Sequence, residues 1–234
     1  MINMFCIPYA GASAACYHTW KERLQNDANL IAIELLGRGT RYGKGFYESF
    51  EDAVIDIIDK MYFDLHQAPY VLFGHSMGST LAYEAARHID NLGLPRPTHI
   101  IFSGRLAPDF VYNDNLHELP DNQFRHKILE FGAVTSDMLD SDGVTELLFP
   151  ILRADFKMIN SYHYAPSSDS LLSDISILYG EQDDYTNAND LKRWSSYTKG
   201  QTTFYRFNGG HFFIHNDQAS VMTVIENILR QCKV

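Results

Sequence analysis

The strongest constraint on the fold of this chain is the segment YVLFGHSMG, residues 70–78. Its first four residues are typical of a buried strand, the next five match the pattern G-x-S-x-G, and helical spacing follows. Glycines at positions 74 and 78 leave space where a tight turn would otherwise meet neighbouring elements. The segment predicts a sharp strand-to-helix turn that holds the Ser76 hydroxyl above a sheet as a nucleophile. A small-residue turn with a buried serine is the alternative.

Short apolar runs rich in β-branched and aromatic residues recur between segments with helical spacing. Most of them are continuously apolar and do not alternate, which is typical of parallel strands covered by helices on both faces. We therefore predict an α/β fold with a mostly parallel, doubly wound sheet. Strands are predicted at residues 4–8, 30–35, 70–73, 99–103, 175–179 and 203–207, and a last helix at 218–231.

The length of 234 residues suits a single domain, spanning residues 1–234. About 70 residues between the fourth and fifth predicted strands contain no convincing strand, which is too long for a loop in a compact domain. Helical spacing at 121–131 and 144–164 predicts a helical lid, inserted at roughly residues 105–170 and packed over the mouth of the sheet. We expect exposed apolar side chains there: Phe110, Phe124, Leu129, Phe131, Leu147, Phe149 and Phe156.

A neutral serine hydroxyl is a weak nucleophile and must give its proton to a base. His211 lies in the segment NGGHF after the last predicted strand, where a loop can return an imidazole to Ser76. We predict His211 as the base. A role in satisfying loop backbone groups is the alternative, and His215 is the competing base.

The acid is expected just after the fifth predicted strand, in YGEQDD at 179–184, because sites in open α/β sheets form at the carboxyl ends of strands. Asp183 is the first candidate, and it would hold the tautomer of His211 and stabilise the imidazolium. Asp184 stays open as an alternative, with a role at a helix start instead. Glu181 is the weakest of the three.

The oxyanion formed on attack needs preorganised hydrogen-bond donors. One is the backbone N–H of Met77, directly after the nucleophile. The other is expected from the small-residue turn after the first strand, where the Ala10 N–H is the candidate. An ordinary strand-to-helix turn is the alternative for that segment.

Charge and cysteine content exclude several classes of function. A net charge of -10 opposes non-specific binding to nucleic acid or anionic membranes. No apolar run approaches the roughly 18 residues of a membrane helix, and the N-terminus lacks a signal-peptide pattern, so we expect a cytoplasmic protein. The three cysteines, Cys6, Cys16 and Cys232, show no disulfide or zinc pattern. Serine chemistry requires no metal or redox cofactor.

Six ordered segments, IPYAGAS, LLGRGTR, FGHSMGS, ELPDNQF, YGEQDD and NGGHFF, resemble the type II thioesterases of nonribosomal peptide and polyketide synthesis, in the α/β-hydrolase superfamily. The resemblance spans nearly the whole chain and implies an α/β-hydrolase fold. It also implies hydrolysis of acyl thioesters from the phosphopantetheine arm of carrier proteins, in editing or release. Ser76, Asp183 and His211 match the family's catalytic serine, acid and base, and Ala10 and Met77 match its oxyanion-hole positions.

The resemblance implies acyl or peptidyl carrier proteins of a multimodular synthase as partners, and we expect a monomer. Two departures lie beside the site entrance: the family usually has P-G-R-G where this chain has LGRG at 36–39, and G-G where it has Gly11-Ala12. Either of two cationic groups could meet a carrier or a phosphate, although solvated surface charge is the alternative. They are Arg38, Arg41 and Lys44 after the second strand, and Arg125, Lys127, Arg153 and Lys157 on the insertion.

Other functions stay open. A small-ester or lipid esterase would use the same three residues and a similar lid. An acyltransfer or cyclising enzyme would differ only in the nucleophile that resolves the acyl-enzyme. A non-catalytic binding module on the same scaffold is the alternative outside enzymes.

Overall fold

A computed structural model describes residues 1–110, 115–166 and 170–233. In this part of the chain, six parallel strands form one sheet in the order β2-β1-β3-β4-β5-β6. The predicted parallel α/β sheet is therefore confirmed. The strands are β1 Ile2–Ile7, β2 Ala28–Ala32, β3 Tyr70–His75, β4 His99–Ser103, β5 Asp174–Gly180 and β6 Thr202–Phe207.

The strand order reverses between β1 and β3. From β1 the chain moves outward to β2 at one edge, and from β3 it moves through β4 and β5 to β6 at the other edge. Such a reversal leaves a crevice at the carboxyl ends of the two central strands, where ligands of open α/β sheets bind. Ala10 lies just after β1 and Ser76 directly after β3, so both lie at this crevice.

Helices cover both faces of the sheet, which explains the continuously apolar strands. On one face, Phe5 and Ile7 of β1 pack with α2 (Phe50–Leu65) and α3 (Met77–Asn91). On the other face, Met4 and Cys6 pack with α1 (His18–Leu24) and α9 (Gln218–Gln231). Successive strand residues therefore point into two different cores.

Helix α2 begins where its sequence supplies a cap. The Ser49 hydroxyl accepts the backbone N–H of Asp52, and the Asp52 carboxylate accepts the backbone N–H of Ser49. This reciprocal pair satisfies two donors that the helix itself leaves unpaired. The short helices α7 (Ala188–Leu191) and α8 (Phe213–Asn216) lie in the connections after β5 and β6.

In the described part of the predicted insertion, three α-helices lie between β4 and β5: α4 Asp121–Phe131, α5 Ser136–Leu139 and α6 Val144–Asn160. Of the seven apolar residues predicted to be exposed, Phe110 and Leu147 are exposed, and Leu129, Phe131 and Phe156 are half-buried. The other two, Phe124 and Phe149, are 0% and 7% exposed. They are buried because the insertion has its own small core, formed with Leu116, Ile128, Leu139 and Leu152. Residues 111–114 and 167–169 of the insertion lie outside the described residues.

The predicted helix at 144–164 is too long, since α6 ends at Asn160. After this point the Ser161 hydroxyl donates to the carbonyl of Met158. The chain then turns so that the Tyr162 ring packs 4.6 Å from the ring of Phe50. Packing against α2 thus overrides the helical spacing that continues in the sequence.

Candidate active site

Ser76 lies on a strained turn between β3 and α3. Its φ of 53° makes it the one non-glycine residue with positive φ in the described part of the chain, and such strain is typical of functional sites. The Ser76 N–H donates to the carbonyl of Ser103 at 2.8 Å, which anchors the turn to β4. A Cβ on Gly74 would lie 2.0 Å from the carbonyl oxygen of Gly78. The turn therefore forms only with glycine at this position.

His211 and Asp183 form a buried pair beside this turn. The Nδ1 of His211 lies 2.9 Å from Oδ2 of Asp183, and their side chains are 7% and 0% exposed. The carboxylate also accepts the backbone N–H of Tyr185 at 2.9 Å and the hydroxyl of Thr186 at 3.0 Å. These bonds fix the carboxylate, which in turn fixes the orientation of the imidazole and favours a proton on Nδ1.

The competing residues lie elsewhere. Asp184 is exposed, whereas Asp183 is buried. Glu181 is also exposed and pairs with Arg206 at 3.1 Å. The Nε2 of His215 lies 2.8 Å from the hydroxyl of Tyr9. Of the candidates for acid and base, it is Asp183 and His211 that the structure places together.

Ser76 and His211 line the same cleft. No hydrogen bond between Ser76 Oγ and His211 Nε2 occurs among the described residues, in keeping with the long catalytic contacts of many unliganded enzymes. The imidazole of His211 packs 5.1 Å from the ring of Phe212 and 6.0 Å from that of Phe131. These two rings flank the imidazole within the cleft.

His75, next to the serine, is a residue that sequence analysis did not single out. It is fully buried, its Nδ1 lies 2.9 Å from Ser103 Oγ, and its Nε2 has no hydrogen-bond partner. Burial, and then the nearby His211, hold the pKa of His75 well below its usual value. Because His75 is neutral, it does not repel a positive charge on His211, whose ring centroid lies 5.1 Å away. The only sequence signal for His75 was its place in G-x-S-x-G, between Gly74 and Ser76.

The two predicted oxyanion donors lie on either side of the crevice. Ala10 lines the cleft together with Ser76 and His211. Met77 is the first residue of α3, so its N–H has no partner within the helix. The next N–H along the first loop, that of Gly11, is already used: it donates to Oδ2 of Asp155 at 2.8 Å.

The cleft extends from Ser76 in two directions. One arm has about 720 Å³ of space not filled by protein atoms, including space open to solvent, and reaches Phe110, Asn160 and Tyr162. The other arm is smaller and mostly apolar, with walls that include Ala10, Ile128, Leu152 and Phe212. The rings of Phe131 and Phe156 line both arms. Helices α4 and α6 of the insertion thus supply much of the cleft wall.

Most of the cations named as candidates for contact with a carrier or a phosphate have partners. Arg38 is 2% exposed and forms an ion pair with Asp155, so the expectation of a surface group is wrong for this residue. Arg41 pairs with Asp56 at 2.6 Å. On the insertion, the pairs are Arg125 with Asp140, Lys127 with Glu130 and Arg153 with Asp121. Lys44 and Lys157 are exposed.

The cysteines are free, and burial raises the pKa of the Cys6 thiol well above its usual value. A raised pKa makes Cys6 a poor nucleophile. Among the described residues, no group of three or more His, Cys, Asp or Glu side chains is arranged to hold a metal ion. No helix in the same ranges is long and apolar enough to span a membrane.

Comparisons with known proteins identify the family of this chain. A family model described as a thioesterase domain matches residues 3–232. The thioesterase PikA5 of Streptomyces venezuelae is 28% identical over 217 residues, covering 93% of this chain and 76% of PikA5. The structure of ClbQ, from the colibactin NRPS/PKS pathway, has a TM-score of 0.93 at 27% identity and covers 99% of this chain and 98% of that one.

The type II thioesterase BorB, from the borrelidin biosynthetic cluster, has a TM-score of 0.87 at 27% identity, covering 97% of this chain and 92% of BorB. The predicted α/β-hydrolase fold and the resemblance to type II thioesterases are confirmed by these matches. The matched region takes in β1 from Asn3 onward, all of β2 to β6, and α4, α5 and α6. The chain belongs to the thioesterase family.

Proposed function

We propose that this chain is a serine thioesterase that hydrolyses acyl thioesters from the phosphopantetheine arm of carrier proteins, in a nonribosomal peptide or polyketide pathway. The observation that supports it most is the buried His211–Asp183 pair beside Ser76, at the mouth of an apolar cleft. PikA5, ClbQ and BorB, which belong to such pathways or are named as thioesterases, support the substrate class.

In the first step, Ser76 Oγ attacks the thioester carbonyl while His211 Nε2 accepts the hydroxyl proton. Asp183 keeps the other imidazole proton on Nδ1 and stabilises the imidazolium. The negative charge that develops on the carbonyl oxygen is met by the N–H groups of Ala10 and Met77. His211 then gives its proton to the departing pantetheine sulfur, and an acyl ester remains on Ser76.

In the second step, a water molecule attacks this ester and His211 accepts its proton. The tetrahedral intermediate uses the same two N–H donors, and its collapse restores the Ser76 hydroxyl and releases a carboxylic acid. The Ser76, His211 and Asp183 side chains complete both steps without a metal or redox cofactor, and the phosphopantetheine belongs to the substrate.

The remaining expectations belong to the same proposal. The partners are acyl or peptidyl carrier proteins, the chain acts as a monomer in the cytoplasm, and residues 1–234 form one domain with an insertion at roughly 105–170. Because the chain carries a net charge of -10 and carrier proteins are generally acidic, attraction between them must be local. The exposed Lys157 on α6 and Lys44 after β2 are the cations that suit such a contact.

The test is the rate of thiol release from one acyl group presented on a phosphopantetheinyl carrier protein and on free coenzyme A, compared with hydrolysis of the matched oxygen ester. The proposal expects the highest kcat/KM with the carrier, loss of activity in Ser76→Ala, and near-normal activity in Asp184→Asn, which is the control for the neighbouring acid. Preference for the oxygen ester would indicate an esterase instead. Absence of turnover on all three would favour a binding module.

A further inference from the structure

A buried ion pair joins the segment after β2 to the insertion. The guanidinium of Arg38 donates from Nη1 to Oδ2 and from Nη2 to Oδ1 of Asp155, each at 2.6 Å. The two side chains are 2% and 3% exposed, and Asp155 lies in the middle of α6. Burial removes the hydration of both charges, and this penalty cancels much of the attraction between them. Apolar residues can often replace such a pair without loss of stability. Stability alone is therefore a weak reason for its presence.

The same pair holds the loop after β1. Oδ2 of Asp155 accepts the N–H of Gly11 at 2.8 Å, and Nη1 of Arg38 donates to the carbonyl of Ala12 at 3.3 Å. Gly11 itself has a φ of +81°, and a Cβ there would lie 2.5 Å from Cδ2 of Leu152 on α6. The loop is thus fixed by two charge-assisted bonds and by close packing against one helix.

These contacts act on the peptide next to the proposed oxyanion donor. The Gly11 N–H belongs to the peptide group that follows Ala10, so its bond to Asp155 fixes the backbone rotation at Ala10. An oxyanion hole requires its donors within about 0.2 Å of their best distance of roughly 2.9 Å. Without the Asp155 carboxylate, this peptide is free to rotate, and the Ala10 N–H then no longer points at the oxyanion.

We propose that Asp155 and Arg38 are positioning residues that hold the Ala10 N–H in place for catalysis. Through this ion pair, the geometry of the oxyanion hole depends on the position of α6. The inference rests on the proposed serine mechanism. Helix α6 also contains Leu152 and Phe156, which line the cleft. An acyl group that packs well against α6 would therefore stabilise the same contact that orients the oxyanion donor.

The test uses two variants that both lose the ion pair. Asp155→Ala removes every acceptor, whereas Asp155→Asn keeps an oxygen for the Gly11 N–H. The first measurement is the rate at which a fluorophosphonate probe labels Ser76, in which an Oγ–P bond forms and fluoride leaves with the serine proton. This rate depends on the oxyanion donors but not on the natural acyl group. The second is kcat and KM on an acyl thioester, and the third is Tm.

We expect Asp155→Ala to label about 10- to 100-fold more slowly and to lose kcat by a similar factor, with KM within about threefold. Asp155→Asn should keep most of the wild-type labelling rate, although its Tm should fall as far as that of Asp155→Ala. Asp56→Ala is the matched control: it breaks the half-buried Arg41–Asp56 pair, so it should lower Tm without slowing labelling. Equal rate losses in both Asp155 variants, or wild-type labelling of Asp155→Ala, would overturn the inference.

If Asp155→Ala does not fold, Arg38→Lys provides the comparison, because it keeps the charge but cannot bond both carboxylate oxygens in the same plane. Severalfold slower labelling is expected, and an unchanged rate would refute the positioning role. A wild-type protein that is labelled at Ser76 but cleaves no thioester would contradict the proposed function alone. The labelling rates of the variants would still decide the inference.

Discussion

Gly78, two residues after the serine, is a position where the smallest possible substitution should have a large effect on catalysis. A Cβ built on Gly78 lies 2.3 Å from the carbonyl oxygen of Ile7 and 2.8 Å from that of Pro8, whereas ordinary contacts begin at 3.4 Å. Both neighbours are backbone atoms of β1 and its exit, so no side chain can rotate away. Gly78→Ala must therefore move α3 and the end of β1 apart by about 1 Å, the difference between these contact distances.

This displacement acts directly on the oxyanion hole. Met77 lies on α3 and Ala10 follows β1, so separating the two elements separates the two N–H donors. Overpacking of this kind lowers the free energy of unfolding by about 1–3 kcal/mol, and a misplacement of about 1 Å reduces catalysis by about 100-fold. We expect Gly78→Ala to remain folded but to lose about 100-fold in kcat on an acyl thioester.

The assay compares kcat and the free energy of unfolding for Gly78→Ala and Gly43→Ala. Gly43 has a φ of +77° with nothing within 4 Å of its added Cβ, so its substitution costs only backbone strain of about 1–2 kcal/mol. Gly43→Ala, the control, should lose about as much free energy of unfolding as Gly78→Ala but should keep the wild-type kcat. If Gly78→Ala also keeps wild-type kcat, the assignment of both N–H donors to the oxyanion hole is refuted.

Three further changes test separate parts of the site and the core. Asp183→Asn should lower kcat by about 10³- to 10⁴-fold by allowing the wrong imidazole tautomer, whereas Asp184→Asn should stay within about twofold; equal effects would refute the choice of acid. Burial lowers the pKa of His99 from 6.5 to about 4, so the unfolded chain alone gains this proton and stability falls by about 3 kcal/mol as pH drops from 6.5 to 4. The free energy of unfolding, measured with urea at a series of pH values, should depend on pH in His99→Gln by one proton less than in the wild type. An unchanged pH dependence would contradict the lowered pKa. Tyr162→Ala should open one end of the cleft and raise kcat/KM for longer relative to shorter acyl chains by about tenfold, measured by competition between chain lengths; an unchanged ratio would show that this arm does not bind the acyl group.

Local patterns in the sequence predicted much of the site. The serine turn, the glycine-flanked histidine and the acidic segment each follow a strand, and parallel strands place their carboxyl ends together. Spacing alone left Asp183 and Asp184 as alternatives, because adjacent residues in a loop point in unrelated directions. The family resemblance favoured Asp183, and the fold gives the physical reason: Asp183 Oδ2 lies 2.9 Å from His211 Nδ1, whereas Asp184 is exposed.

Long-range contacts were outside the reach of sequence reasoning. Arg38 and Asp155 are 117 residues apart, and an arginine between two glycines has the pattern of a surface turn. It is buried because α6 packs over the loop after β1. The end of α6 at Asn160 and the burial of Phe124 have the same origin, since helical spacing does not say which faces of the insertion pack together.

The central claim is that acyl groups pass through an ester on Ser76. The most direct measurement is intact-protein and peptide mass spectrometry of the chain, quenched within milliseconds to seconds after mixing with an acyl-phosphopantetheinyl carrier. We expect a mass increase equal to the acyl group, located on the peptide that contains Ser76, absent in Ser76→Ala and decaying as free acid appears. Free acid produced at the full rate by Ser76→Ala, or an acyl adduct on another residue, would contradict it.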